Sequence, residues 1–242
     1  VIDSLKIGYA DLSAVNPRLI MVSTSILGQA GPHSKGASGT GTTGAAFAGA
    51  TNLLGWPDRA PMGPFGPWTD AVTPRMIVST VLAALHRRRQ TGTGCYIDAA
   101  QAECGVQFLM PAYYEYAVNG TIPQRRGAAG SPLRSPSGLF ACVGADRWVA
   151  IDASADEAFA ALRGVVGGVL SEVRFDTLIG RLRGRADLEA AIAAWTAPQK
   201  AQAVEDRLQA AGVPAHVVAQ PADLVADADL KHLSHYHVCE DP

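Results

Sequence analysis

The sequence predicts an α/β fold, in which part of a doubly wound large domain is followed by a small α+β domain. A continuous apolar run at residues 18–23 has the composition of a strand covered on both faces of a parallel sheet. A strongly signalled helix and a second short strand around Tyr96 and Ile97 follow it. From residue 139 onward, two short strands precede several helices, which is the order typical of an α+β domain.

The strongest helix signal lies between Thr73 and Gly92. Thr73 is a suitable N-cap, and Pro74 suits the first helical position because it has no N–H to leave unpaired. The arginines at 87–89 are favoured at the carbonyl end of the helix dipole, and Gly92 is a typical C-terminal stop. The apolar residues that predict one buried stripe stand at positions 77, 81 and 85, and at 78 and 82. On this prediction Asp70 stands just ahead of the helix.

The segment at 36–55 is rich in glycine and alanine and contains a literal G-x-G-x-x-G at Gly39, Gly41 and Gly44. A dinucleotide-binding loop needs its first glycine directly after a strand, whereas a long segment separates Gly39 from the apolar run. No acidic residue is suitably placed downstream to bind a ribose. We therefore interpret this segment as a helix that packs closely against its neighbours.

The rest of the chain alternates predicted helices with short strands. One long helix is predicted at 98–119, and the Gly-, Pro-, Ser- and Arg-rich stretch at 121–138 is predicted to be a linker. Strands at 139–143 and 147–151 are followed by a helix with a capping box from Ser154 to Glu157. The further predicted elements are helices near 172–183, 186–195 and 197–211 and a strand at 215–219.

Composition and charge exclude several classes of protein. The chain has 242 residues, 48% of them hydrophobic and 17% charged, as in a soluble globular protein. Its net charge of −2 is spread without runs, so we expect no nucleic-acid partner and no membrane partner. We find no basic-then-apolar leader and no spanning run, and we expect a cytoplasmic protein. The cysteines lack C-x-x-C spacing, and the histidines near residue 235 alternate like an edge strand, so we predict no disulfide and no metal site.

Four motifs occur in order along the chain: NPRLIMVSTSILGQAGP at 16–32, LLGWPDRAP at 53–61, LAALHRRRQTGTG at 82–94 and SPSGLFACVGADRWVAI at 135–151. Through these motifs the chain resembles the class III CoA-transferase (CaiB/BaiF) family over nearly its whole length. The resemblance implies a Rossmann-like large domain and an interlocked homodimer, or a partner chain that supplies a missing half. Members of the family extend further at both ends, so the chain resembles a fragment without the N-terminal part and the C-terminal tail.

The resemblance also implies a division of the chain. Residues 1–120 correspond to the second part of the large CoA-transferase domain and carry the catalytic aspartate. Residues 121–138 are the linker, and residues 139–230 form the small α+β domain. Residues 231–242 are expected to begin the return segment to the large domain.

In this family the aspartate before the helix is the nucleophile, which implies that role for Asp70. The implied reaction moves coenzyme A from an acyl-CoA thioester to a free carboxylic acid through an aspartyl anhydride and an enzyme–CoA thioester, without a metal. The resemblance also points to Lys35 as a cation for the CoA moiety, while a solvated surface lysine is an equally good explanation. The glycines expected to leave room for the bulky thioester are Gly39, Gly41, Gly63 and Gly66.

Two alternatives remain open. Relatives that act as α-methylacyl-CoA racemases carry a His-Asp pair in the segment corresponding to 35–38. This chain has Ala37 and Ser38 there, which favours transfer over racemisation. The other alternative is an inactive accessory subunit or a truncated pseudoenzyme that keeps the fold without the chemistry. Ser38 and Ala128 favour it, because many relatives carry an acidic residue and an asparagine at the corresponding positions.

Overall fold

The computed structural model describes residues 2–34, 36, 38–237 and 239. The chain folds into two compact units, Val1–Gly127 and Ala128–Pro242. The division falls within the stretch at 121–138 that the sequence marks as a linker. Both units contain helices and strands, which agrees with the predicted α/β class.

The first unit contains a parallel sheet of two strands with helices around it. Its elements are α1 (Tyr9–Val15), β1 (Ile20–Ser25), α2 (Gly41–Phe47), α3 (Ala50–Leu53), α4 (Trp68–Thr91), β2 (Cys95–Ala100), α5 (Gln101–Gln107) and α6 (Met110–Asn119), with a 3-10 turn at Asp3–Leu5. Both strands predicted in this region are confirmed. The Gly/Ala-rich segment at 36–55, predicted as one helix, forms two short helices, α2 and α3, which are separated by Gly49 in a left-handed conformation. The predicted close packing is found for α2, which packs against α4 and α5.

Strands β1 and β2 pair in parallel from Ile20 opposite Cys95 to Ser25 opposite Ala100. Just before the first paired residues, the backbone at Gly94 lies very close to that at Leu19: a Cβ added to Gly94 would lie 1.8 Å from the carbonyl oxygen of Leu19. Only glycine fits at that position without moving the backbone. Because the strands run parallel, their carboxyl ends lie side by side. Ligands bind at this edge in parallel α/β sheets.

Helix α4 starts earlier than predicted. It begins at Trp68, so Asp70 lies in its first turn and Thr73 does not act as the N-cap. Pro74 lies inside the helix, where it has no N–H to donate to the carbonyl of Asp70, the acceptor four residues earlier. The local capping signal is overridden because the first turn is fixed by packing: Thr69 is fully buried. The predicted C-terminal stop is confirmed, as Gly92 takes a left-handed conformation and donates its N–H to the carbonyl of Arg88.

The predicted buried stripe of α4 is partly wrong. Ile77, Val81 and Leu85 are half-buried, but Val78 and Leu82 are 60% and 61% exposed. Helix α4 packs against β1, β2, α2 and α5 through the side that carries its fully buried residues. At 100° per residue, positions 78 and 82 lie on the other side of the helix.

The single long helix predicted at 98–119 is also wrong. Residues 98–100 belong to β2, because the pairing with β1 continues to Ala100. Helices α5 and α6 are separated at Phe108–Leu109. Pro111 stands in the first turn of α6 and cannot donate the helical hydrogen bond to the carbonyl of Gln107, so one continuous helix is interrupted there.

The second unit consists of an antiparallel sheet of three strands packed against helices. Its elements are β3 (Ser137–Ala141), β4 (Trp148–Asp152), α7 (Asp156–Val166), α8 (Leu178–Arg183), α9 (Arg185–Thr196), α10 (Ala201–Ala210), β5 (Ala215–Val217), α11 (Pro221–Ala226) and α12 (Ala228–His232), with 3-10 turns at Gly168–Ser171 and Val173–Phe175. The strand order is β3-β4-β5. Its buried core includes Val149, Phe159, Leu188, Ile192 and Leu208.

Two local predictions in the second unit differ from the structure. The capping box does not form, because Ser154 donates its hydroxyl to Asp152 Oδ1 at 2.6 Å and α7 begins after Ala155 without a side-chain cap. The helix predicted near 172–183 is a 3-10 turn followed by α8. At both places a short polar side chain accepts from a nearby backbone N–H: Asp152 Oδ1 from Ser154 and the Thr177 hydroxyl from Gly180.

The cysteines of both units are free thiols, and two groups of the second unit have shifted pKa values. Burial raises the pKa of the Cys142 thiol, and Cys95, Cys104, Cys142 and Cys239 are all free thiols. Hydrogen bonds from Arg147 and from the backbone of Gln220 lower the pKa of Asp223. No group of three His, Cys, Asp or Glu side chains within the described residues is arranged to hold a metal ion. Among those same residues, every helix is too short or too polar to cross a bilayer.

Candidate active site

Asp70 lies where the N-termini of two helices meet. It is the third residue of α4, a helix of 24 residues, and its side chain is half-buried. Its Oδ2 accepts a hydrogen bond of 2.9 Å from the backbone N–H of Gly41, the first residue of α2. The positive end of the α4 dipole and this N–H both favour a negative charge at Asp70.

Gly41 permits this close meeting of the two helices. A Cβ added to Gly41 would lie 2.5 Å from the carbonyl carbon and oxygen of Pro67 and 2.6 Å from the backbone nitrogen of Asp70. These distances are too short for any real side chain, so a larger residue would separate the helix ends. The hydrogen bond between the Gly41 N–H and the Asp70 carboxylate therefore depends on glycine at this position.

Thr69 occupies the centre of the same junction. It is fully buried, and its hydroxyl donates to the carbonyl oxygen of Gly41 at 3.1 Å. The hydroxyl oxygen also lies 3.2 Å from the side-chain amide oxygen of Gln101, the first residue of α5. Sequence reasoning did not identify Thr69 or Gln101. The sequence feature that points to this junction is the pair Gly41 and Gly44. It predicts that α2 packs closely against a neighbouring element, but it does not identify the side chain that lies against the two glycines.

The other predicted site residues have different surroundings. Gly39 precedes α2, and a Cβ there would lie 2.7 Å from the Cβ of Thr43. Gly63 is half-buried, with open space around it except for Thr51, and Gly66 is exposed in a left-handed conformation. Lys35 lies outside the described residues. In the described part of the chain, Gly41 is the predicted glycine that is hydrogen-bonded to Asp70.

A cavity of about 240 Å³ lies beyond the carboxyl end of β1. It is lined by the loop at 30–34, by Phe47 of α2, and by Val106 and Tyr113 of α5 and α6. The hydroxyl of Tyr113 donates to the carbonyl oxygen of Ala48 at 3.0 Å, which fixes the ring at the cavity wall.

Comparison with known proteins identifies the family. The sequence profile described as CoA-transferase family III matches residues 1–242. Succinyl-CoA–D-citramalate CoA-transferase of Chloroflexus aurantiacus is 32% identical over 91% of this chain and 55% of its own length. The β subunit of succinyl-CoA–L-malate CoA-transferase of the same organism is 33% identical over 91% of this chain and 55% of its own length. The chain thus spans about half the length of the curated relatives it matches.

A solved structure agrees with the sequence matches. The crystal structure of a CaiB/BaiF family protein from Brucella suis superposes with a TM-score of 0.81 at 29% sequence identity, covering 96% of this chain and 61% of that chain. This similarity confirms the predicted α/β fold of the family, and the profile match confirms the resemblance seen in the motifs. The chain belongs to CoA-transferase family III.

Proposed function

We propose that the protein containing this chain transfers coenzyme A from an acyl-CoA thioester to a free carboxylic acid, with Asp70 as the covalent nucleophile. The observation that carries the proposal is the hydrogen bond from the Gly41 N–H to the Asp70 carboxylate at the N-terminus of α4. Family membership and the named activities of the curated relatives support the reaction class.

The reaction needs no water and no metal. Asp70 Oδ1 attacks the thioester carbonyl carbon, and the departing CoA thiolate leaves a mixed anhydride of Asp70 and the donor acid. The thiolate then attacks the aspartyl carbonyl carbon, which releases the donor acid and forms an enzyme–CoA thioester. The acceptor carboxylate attacks that thioester to give a second anhydride and free thiolate. Attack of the thiolate on the acceptor carbonyl carbon completes the new acyl-CoA and restores the Asp70 carboxylate.

The groups around Asp70 suit these steps. The Gly41 N–H orients the carboxylate in the resting state. During the two steps in which the aspartyl carbonyl carbon is attacked, this N–H and the positive end of α4 stabilise the oxyanion that develops on the aspartyl oxygen. The cavity beyond β1 provides space for part of the acyl-CoA in the same unit of the chain as Asp70. We retain Lys35, Gly39, Gly63 and Gly66 as proposed substrate-binding residues.

Trapping the covalent intermediate tests the proposal. The full protein is incubated with a 2-methylacyl-CoA in deuterated water, reduced with borohydride, digested and mapped by peptide mass spectrometry. We expect a modification on Asp70 that requires acyl-CoA, because borohydride reduces an aspartyl thioester and leaves a free carboxylate unchanged. Asp58, an exposed residue in the same Gly-rich region, serves as the internal control and is expected to stay unmodified.

The same incubation discriminates the alternatives. A racemase exchanges the proton on the carbon next to the thioester and forms no adduct on Asp70. Rapid deuterium uptake without an adduct on Asp70 would therefore contradict the proposal and favour the racemase. An accessory subunit would show neither deuterium uptake nor an adduct on Asp70.

We further propose that the active protein is an interlocked homodimer, as the family resemblance implies. The exposed apolar side chains of Val78 and Leu82 on α4 support a covering partner, because leaving such groups in water forfeits the favourable free energy of their burial. We expect sedimentation equilibrium to give twice the mass of the protein chain. A stable monomer over the micromolar range would contradict this proposal.

A further inference from the structure

We propose that Thr69 and Gln101 are positioning residues, which hold the Gly41 N–H in place for Asp70 throughout the reaction cycle. The inference rests on the proposed function of Asp70. It is motivated by a partly buried chain of contacts that runs from Gln101 through the hydroxyl of Thr69 to Gly41, the residue that donates to the Asp70 carboxylate.

Thr69 fits its site closely. Besides Gly41, two further glycines face it: a Cβ on Gly44 would lie 2.3 Å from the Thr69 hydroxyl oxygen, and one on Gly105 would lie 3.1 Å from the Thr69 methyl carbon. Helices α2 and α5 thus both meet α4 at a single threonine side chain. Because this close packing leaves no room for the Thr69 side chain to take another rotamer, its hydroxyl keeps a fixed direction relative to Gly41.

The number of hydrogen-bond donors and acceptors around the Thr69 hydroxyl assigns a role to Gln101. The Thr69 hydroxyl carries one proton, yet it lies within 3.2 Å of both the Gly41 carbonyl oxygen and the amide oxygen of Gln101. With the Gln101 amide turned by 180°, its Nε2 donates to the Thr69 hydroxyl oxygen, and the hydroxyl proton goes to the Gly41 carbonyl. Both contacts then have a donor and an acceptor. Gln101 follows β2 directly, so the sheet anchors this chain of hydrogen bonds.

Thr69 and Asp70 are neighbours in α4 and bind opposite ends of the same residue. Asp70 accepts from the N–H of Gly41, while Thr69 donates to its carbonyl. The Asp70 contact depends on the reacting group: once the carboxylate becomes an anhydride or a thioester, it loses its charge and its strength as an acceptor. The Thr69 contact involves no reacting atom and persists. It keeps the Gly41 N–H directed at the aspartyl carbonyl when that carbonyl is attacked.

This role predicts a specific effect of Thr69→Val, which keeps the shape and removes the hydroxyl. We expect kcat to fall about 10- to 100-fold while KM for acyl-CoA changes less than about twofold, because the loss acts on attack at the aspartyl carbonyl rather than on substrate binding. The trapped Asp70 thioester should both form more slowly and decay more slowly than in the wild-type protein. Thr69→Ser keeps the hydroxyl and is expected to retain most of the wild-type kcat.

The experiment compares wild type, Thr69→Val, Thr69→Ser and Gln101→Met by steady-state kinetics and by borohydride trapping, with thermal melting as the fold control. Should Thr69→Val fail to melt cooperatively, Gln101→Met decides, and its kcat is expected to fall in the same direction. A Thr69→Val or Gln101→Met protein with wild-type kcat, or a Thr69→Ser protein as slow as Thr69→Val, overturns the positioning role alone. A wild-type protein without a label on Asp70 overturns the nucleophile and the positioning role together.

Discussion

The Asp70→Asn protein is expected to transfer CoA roughly 10⁴-fold or more slowly than the wild-type protein, by analogy with the loss of other covalent nucleophiles. Asparagine keeps the size of the side chain, and its amide oxygen can still accept the hydrogen bond from the Gly41 N–H. The amide cannot attack a thioester to form an anhydride. The change therefore removes the nucleophile while it preserves the junction between α2 and α4.

A matched substitution separates chemistry from folding. Asp58→Asn makes the same chemical change at an exposed residue in the turn where the Arg59 N–H donates to the Trp56 carbonyl. We expect its kcat to stay within about twofold of wild type, as usual for surface substitutions. Calorimetry should show little change in CoA affinity for either variant. An Asp70→Asn protein that retains most of its transfer rate would rule out Asp70 as the nucleophile.

Signals that act along the chain predicted a large part of the fold. Strands β1 and β2 follow from apolar runs bounded by Pro and Gly, and the end of α4 follows from Gly92, the residue best able to adopt the left-handed conformation found there. The strands β3 and β4 follow from two short apolar runs around a Gly144 turn. Each of these elements is specified by residues within a few positions of one another.

Predictions failed where distant contacts compete with local signals. Thr73 and Pro74 form a good local N-terminus, but α4 begins at Trp68 because Thr69 is buried against glycines of α2 and α5. The sequence separation between Thr69 and Gly41 is 28 residues, and that between Thr69 and Gln101 is 32. No spacing rule for a helix or a strand covers such distances, so the junction could not be predicted from one sequence.

In the candidate site, too, some residues can be predicted from sequence motifs, whereas others are recognised only from contacts between distant parts of the chain. Asp70 was identified through its position in a family motif, whereas its hydrogen-bond donor Gly41 was proposed for a different reason, the space it leaves for substrate. Thr69 and Gln101 carry common side chains without a recognisable motif. What makes them candidates is their burial and their contacts, which only the three-dimensional arrangement supplies.

Arg181→Met is expected to lower the free energy of unfolding by about 3–5 kcal/mol, because buried carbonyl groups lose their donor. Arg181 is fully buried in the second unit. Its guanidinium donates to the carbonyl oxygens of Ser135 at 3.1 Å, Phe175 at 3.3 Å and Ser154 at 2.9 Å. Methionine fills much of the volume but cannot donate. Asp156, which also accepts from Arg181, is 74% exposed, so the loss of that ion pair contributes little.

Urea unfolding followed by circular dichroism measures this effect, with Arg183→Met as the control. Arg183 is an exposed residue of the same helix α8, so its replacement removes the same positive charge without opening a buried hydrogen-bond network. We expect the control to stay within about 0.5 kcal/mol of the wild-type protein, as usual for surface positions. A third variant, Arg181→Lys, tests the shape of the buried cation. The Arg181 guanidinium lies 4.7 Å from the centre of the Phe159 ring. Lysine keeps a positive charge there but loses the planar group that donates to three carbonyl oxygens at once. Arg181→Lys should therefore unfold at a urea concentration between those of Arg181→Met and wild type. An Arg181→Met protein as stable as the Arg183→Met control would show that the buried guanidinium does not hold this unit together.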